Sequence, residues 1–153
     1  MTDRIILASK SPRRLEILRQ HGIEPIVKPV DADESLPEGI AMEEAVEYLA
    51  LTKARACYEE VRDDDSYKDY IIIGSDTVVF KDEIMGKPED RNDAYRMISA
   101  INDDCHYVST GVATIRVSDG NEFVSSAVTR VYCKKLSEQD IQDYLDTDEP
   151  YDK

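Results

Sequence analysis

Tyr70-Ile71-Ile72-Ile73-Gly74-Ser75-Asp76-Thr77-Val78-Val79-Phe80 is the stretch on which the fold turns. Extended, it is apolar on both faces, the pattern of a strand covered on both sides and central in a sheet. Asp76 interrupts it. A carboxylate buried in such a strand is costly unless hydrogen-bonded or metal-bound. Alternation puts Gly74 on the same face as Asp76, which predicts open space beside the carboxylate. Asp76 therefore reads as a catalytic base or metal ligand, with capping by backbone N–H groups at a strand end as the structural alternative.

The segment before this strand, residues 41–62, reads as the longest helix, with Met42, Val46, Leu49, Ala50 and Cys57 on one face. At 100° per residue, Lys53 falls about 20° from Val46 and about 40° from Cys57, on that buried stripe. Its stem either snorkels to solvent or aims an ammonium into a polyanion site. Asp63 to Lys68 is a surface loop.

Near the N-terminus, Ile5-Ile6-Leu7-Ala8 reads as a short buried strand. A helix follows from Pro12 to about Gln20, with Ser11 as N-cap, Pro12 at the first helical position and Gly22 as the stop. The junction Ser9-Lys10-Ser11-Pro12-Arg13-Arg14 combines free helix-start N–H groups with two guanidinium forks. Arginines in a first turn oppose the helix dipole, which makes sense if an anion binds between them. Pairing with surface carboxylates is the plainer reading. A second strand is expected from Pro25 to Val30, then a loop from Asp31 to Gly39. Within that loop, Asp31-Ala32-Asp33-Glu34 is either a solvated acidic run or a source of a metal-binding carboxylate.

Downstream of the central strand, Gly86-Lys87-Pro88 either holds Lys87 in place or is an ordinary turn. A helix is predicted from Asp90 to Ile101, with Ala94, Met97, Ile98 and Ile101 as its core stripe. Two strands between Tyr107 and Cys133 flank Ser118-Asp119-Gly120-Asn121, a hairpin signal. His106, which opens the first of them, reads more readily as structural than catalytic. A last helix runs from about Glu138 to Leu145, capped by Ser137 with Asp140 three residues on.

At 153 residues the chain fits one domain, and its apolar fraction of 41% is ordinary for a globular protein. The net charge of −14 argues against a protein that grips nucleic acid by its phosphates. No apolar run reaches membrane-spanning length and the first residues lack a signal-peptide layout, so no membrane association is expected and the cytoplasm is the expected compartment. Cys57, Cys105 and Cys133 are widely spaced without a CxxC and read as reduced thiols. His21 and His106 are the only histidines, too few for a zinc cluster.

Taken together, these segments resemble the Maf family of nucleotide pyrophosphatases. Leu7-Ala8-Ser9-Lys10-Ser11-Pro12-Arg13-Arg14-Leu15-Glu16 resembles its opening signature, Asp33-Glu34-Ser35 its acidic loop and Leu51-Thr52-Lys53-Ala54 its helix lysine. Gly74-Ser75-Asp76-Thr77-Val78-Val79, Gly86-Lys87-Pro88, His106-Tyr107-Val108-Ser109-Thr110-Gly111-Val112 and Glu149-Pro150-Tyr151-Asp152-Lys153 follow in family order. The resemblance implies an α/β fold, a mixed twisted sheet flanked by helices, elongated and two-lobed with a central cleft, related to inosine-triphosphate pyrophosphatases. It implies cleavage between the α- and β-phosphates of a nucleoside triphosphate, dependent on a divalent metal, Mg2+ or Mn2+.

By family role, Asp76 would be the general base and, with Glu34, would bind the metal. Lys53 and Lys87 would serve the triphosphate as catalytic cations, and Ser9, Arg13, Arg14 and Thr77 would bind substrate. Ser-Pro-Arg-Arg with Thr77 resembles the branch acting on dTTP, UTP and modified pyrimidine nucleotides. A sister branch acts on 7-methyl-GTP, and a role as a nucleotide-binding regulator of septum formation is the alternative from another class. A homodimer is the family expectation. Family chains continue past Asp-Lys with a further strand and helix, so a single domain lacking that C-terminal part is expected. Asn102-Asp103-Asp104 departs from the family, where a Ser-Gly turn is common.

Overall fold

A computed structural model describes residues 4–32, 35–81, 83–85 and 88–147. In chain order they form β1 (Ile5–Leu7), α1 (Pro12–Gln20), β2 (Ile26–Val27), α2 (Met42–Val61), a 3-10 turn (Asp65–Tyr67), β3 (Ile71–Lys81), β4 (Glu83–Met85), α3 (Arg91–Ile101), β5 (Cys105–Arg116), β6 (Glu122–Tyr132) and α4 (Glu138–Leu145). The fold is α/β. Its sheet runs β2-β1-β3-β5-β6, with β4 added to β3, so the Asp76 strand is central. The sheet is mixed: β1 is parallel to β2 and to β3, and β4 is antiparallel to β3. Val117 N–H donates to the Tyr70 carbonyl and the hydroxyls of Thr77 and Thr110 meet. As position rises along β3 its partner falls along β5, so these two strands are antiparallel as well.

The strands differ from expectation in two places. The second strand shrinks from Pro25–Val30 to Ile26–Val27. Pro25 and Pro29 bring no N–H to the ladder, which leaves one further bond, Lys28 N–H to the Leu7 carbonyl, at 2.9 Å. Conversely, β4 was not anticipated, because three residues are too few to show a period.

The chain divides into two compact units, Met1–Thr77 with Thr110–Ala127, and Val78–Ser109 with Val128–Lys153. Strands β3, β5 and β6 contribute residues to both. The first unit is organised by α2, whose stripe of Ala45, Val46, Leu49, Ala50, Ala54, Cys57 and Val61 is buried. Of these, Ala50, Ala54, Cys57 and Val61 pack with Ile6 and Ala8, Ile72, and Ala113, Ile115 and Val117. Helix and sheet come unusually close. A Cβ placed on Gly74 would lie 2.8 Å from the Ala54 nitrogen and nearer still to the Ala50 carbonyl oxygen. One placed on Gly111 would lie 2.6 Å from the Val46 carbonyl carbon. Two glycines on neighbouring strands thus make the track on which α2 lies. The space beside Asp76 predicted from Gly74 is therefore filled by the α2 backbone.

The hairpin between β5 and β6 closes as the sequence indicated. Gly120 takes φ +72, Arg116 and Asn121 pair across the turn, and the Asp119 carboxylate accepts from Asn121 N–H.

In the second unit α3 packs on α4 through Ala94, Ile141 and Leu145, with Tyr95 and Ile98 alongside. Both helices begin as their caps dictate: the Asp90 side chain accepts from Asp93 N–H, and Ser137 and Asp140 form a reciprocal capping box. The Asn102 amide brackets Leu136, accepting from its N–H at 2.8 Å and donating to its carbonyl at 3.3 Å. Among the described residues, no helix is long and apolar enough to cross a membrane.

Candidate active site

The first unit gathers five of the residues singled out from the sequence. Ser9 follows β1, is 7% exposed, and its hydroxyl oxygen accepts from Ser11 N–H at 3.2 Å and from Arg14 Nη1 at 3.0 Å. Ser11 in turn caps α1 by accepting from Arg14 N–H. The second guanidinium nitrogen of Arg14 reaches Thr77 Oγ1 at 3.4 Å. No acidic residue stands in the first turn of α1 to balance its two arginines. Burial pulls the Arg14 pKa below its ordinary value, and the nearby Asp76 carboxylate offsets part of that. Arg14 is therefore a half-buried cation held by two neutral hydroxyls, a group with donors committed to position and charge left to meet an anion.

Asp76 and Lys53 meet directly. Lys53 Nζ donates to Asp76 Oδ1 at 2.6 Å, with the two side chains 17% and 16% exposed. The close passage of α2 over Gly74 causes this, since Lys53 lies between Ala50 and Ala54, the residues in contact with that glycine. Of the two readings of Lys53, snorkelling and an inward ammonium, the geometry is the inward one. Removing either member would cost the other, a largely buried charge, its ion-pair partner. The Lys53 contact engages the Oδ1 atom of the Asp76 carboxylate. Beside them, Ser75 Oγ donates to the Gly111 carbonyl at 2.8 Å and ties β3 to β5.

Arg13 and Lys10 lie on the surface. Arg13 is exposed on α1, so of the two arginines it is Arg14 that joins Ser9, Thr77 and Asp76. Lys10 forms a loose pair with Asp31 at 3.8 Å, both largely exposed. Glu34 and Lys87 fall outside the described residues. His106, in the second unit, is 6% exposed with Nδ1 3.7 Å from the Cys133 sulfur. Burial, helped by Lys81, lowers its pKa, and this packed environment suits the structural reading. No group of three His, Cys, Asp or Glu able to hold a metal ion occurs among the described residues.

Sequence reasoning missed Thr110, whose hydroxyl lies 3.1 Å from that of Thr77. A threonine in a strand is ordinary, and only the pairing of β5 with β3 gives it a partner 33 residues away.

A family model described as Maf-like protein matches residues 4–153. A dTTP/UTP pyrophosphatase of Acetivibrio thermocellus is 42% identical over 151 residues, covering 98% of this chain and 76% of the relative. A dTTP/UTP pyrophosphatase of Desulforamulus reducens is 43% identical over 150 residues, covering 97% and 75%. Among solved structures, the Ham1 protein of Staphylococcus aureus matches with a TM-score of 0.55 at 10% identity, over 85% of this chain and 71% of that one, a likeness of fold. With its signature segments in order and a family match along almost its whole length, this chain belongs to the Maf-like protein family.

Proposed function

We propose that this protein is a nucleoside triphosphate pyrophosphatase that takes dTTP, UTP or modified pyrimidine nucleotides to the monophosphate and pyrophosphate. The similarity to two dTTP/UTP pyrophosphatases supports this, and one observation in the site carries the chemistry: the Lys53–Asp76 contact at 2.6 Å on a rigid central strand. Lys53 holds the carboxylate by Oδ1, and the carboxylate accepts a proton from water. The water oxygen then bonds to the α-phosphorus, the bond from that phosphorus to the bridging oxygen breaks, and pyrophosphate departs with the electron pair. Arg14, fixed by Ser9 and Thr77, offers its charge to the phosphates, and Arg13 and Lys87 are proposed to add theirs.

A divalent ion, Mg2+ or Mn2+, fits this donor set. Such ions are commonly bound by one or two carboxylates together with substrate phosphates, and the Asp76 carboxylate would be one such donor, with Glu34 proposed as the other. When bound, the ion would neutralise charge developing on the phosphate oxygens. A cytoplasmic location, where nucleoside triphosphates are plentiful, goes with this reading.

The test is a panel of dTTP, UTP, 7-methyl-GTP and the common purine triphosphates with Mg2+ and with Mn2+, assayed for monophosphate and pyrophosphate. Asp76→Asn should lose about 10²–10⁴ in turnover while still binding nucleotide. Release of orthophosphate instead of pyrophosphate, or near-normal turnover in Asp76→Asn, would overturn the assignment.

A further inference from the structure

The hydroxyl pair between β3 and β5 has a consequence for how the site is held. A guanidinium only donates hydrogen bonds, so Thr77 Oγ1 accepts from Arg14 Nη2. A hydroxyl has one proton and two acceptor positions. With one position taken by Arg14, Thr110 Oγ1 at 3.1 Å occupies either the other or the proton. In both arrangements the Thr77 side chain is held in one rotamer, and a β-branched side chain has few to choose from. Thr77 itself is exposed, so nothing in the sheet core would otherwise fix it. Thr110 is partly buried and sits one residue before Gly111, which is pinned beneath α2 and bonded through its carbonyl to Ser75. The rigid end of the chain of contacts is therefore Thr110, and the working end is Arg14.

We propose that Thr110 is a positioning residue for nucleotide binding, acting through the Thr77 hydroxyl to hold the Arg14 guanidinium beside Ser9 and Asp76. This rests on the pyrophosphatase reading, and the consequence is specific: loss of the Thr110 hydroxyl weakens binding of the triphosphate and leaves the chemical step nearly intact. Asp76 and Lys53 hold each other without help from Thr110.

Thr110→Val keeps the shape and strand preference of the side chain and removes only the hydroxyl, whereas Thr110→Ser keeps the hydroxyl and removes the methyl. For dTTP with Mg2+, Thr110→Val should raise KM about two- to tenfold, the loss of one ordinary hydrogen bond, with kcat within about twofold of the parent. Thr110→Ser should restore KM. In a Thr77→Val background, adding Thr110→Val should change KM no further, since the link is already cut. Melting temperatures of all four proteins separate folding from binding.

The proposal is overturned if Thr110→Val leaves KM unchanged, if Thr110→Ser is as impaired as Thr110→Val, or if the two valine effects simply multiply. Should the parent protein release no pyrophosphate, the pyrophosphatase reading fails on its own. The dissociation constant of dTTP, measured on the same four proteins, then carries the test with the same expected and contrary outcomes.

Discussion

Substituting Gly74 by alanine tests the feature that brings Lys53 to Asp76. The new Cβ would lie 2.8 Å from the Ala54 nitrogen, 3.0 Å from the Ala54 Cβ, and closer than either to the Ala50 carbonyl oxygen. Both of the nearest atoms are backbone in the middle of a helix, so no side chain can swing aside. Either α2 retreats or β3 bends. The retreat would also open the contact at Gly111, because the same helix lies on both glycines. Overpacking of this kind costs about 1–3 kcal/mol, and a clash against backbone on a fully buried stripe belongs at the upper end. Replacing glycine returns about 0.4–1 kcal/mol through the unfolded chain, which leaves a net loss of about 2 kcal/mol. For a chain of this length that is a fall in Tm of about 4–8 °C. Lysine has a long flexible stem and should follow Asp76 through a small retreat, so kcat should fall less steeply than stability. Thermal unfolding followed by circular dichroism, with turnover at a temperature well below both transitions, would measure the two effects. A Tm that stays level or rises in Gly74→Ala would refute the argument, since that is the outcome for a strand glycine facing open space.

Other expectations follow from single residues. Asp103 has φ +55 just after α3, where a helix end favours glycine, so Asp103→Gly should stabilise by about 0.5–1 kcal/mol in a denaturant titration. The Ser109 hydroxyl is buried without a hydrogen-bond partner among the described residues, so Ser109→Ala should be neutral or stabilising, whereas Ser75→Ala, which breaks a bond to the Gly111 carbonyl, should cost about 1 kcal/mol in the same titration. His106 has a pKa held below its ordinary 6.5, chiefly by burial. The folded protein therefore resists protonation there, and stability present above pH 6.5 should be lost as pH falls through 6.5 toward the lower folded value; His106→Gln should flatten that slope in urea melts across pH 5–8. Burial, with Glu60 adding to it, pushes the Cys57 thiol up to about 11, so a thiol reagent at pH 8 should label Cys105 and Cys133 in the native protein and Cys57 only after unfolding.

The sequence by itself determined what depends on neighbours along the chain. Helices α1 and α4 begin where Ser11, Pro12, Ser137 and Asp140 place them, because N-capping is settled within four residues. The β5–β6 turn follows from Asp119 and Gly120 for the same reason. Asp76 and Lys53 were visible as charges on apolar faces, which needs only the strand and helix periods. Tertiary structure decided everything that depends on which segments meet. It shortened β2, where Pro25 and Pro29 could not extend pairing with β1, and it created β4, which exists only through its ladder with β3. It showed that Gly74 admits a helix backbone where open space was expected, and it chose Arg14 over Arg13 as the arginine facing Asp76. It also made Thr110 a partner of Thr77, through a strand pairing that spans 33 positions of sequence. Such contacts leave no period or spacing to read, because they are fixed by the distance between packed backbones and not by local order along the chain.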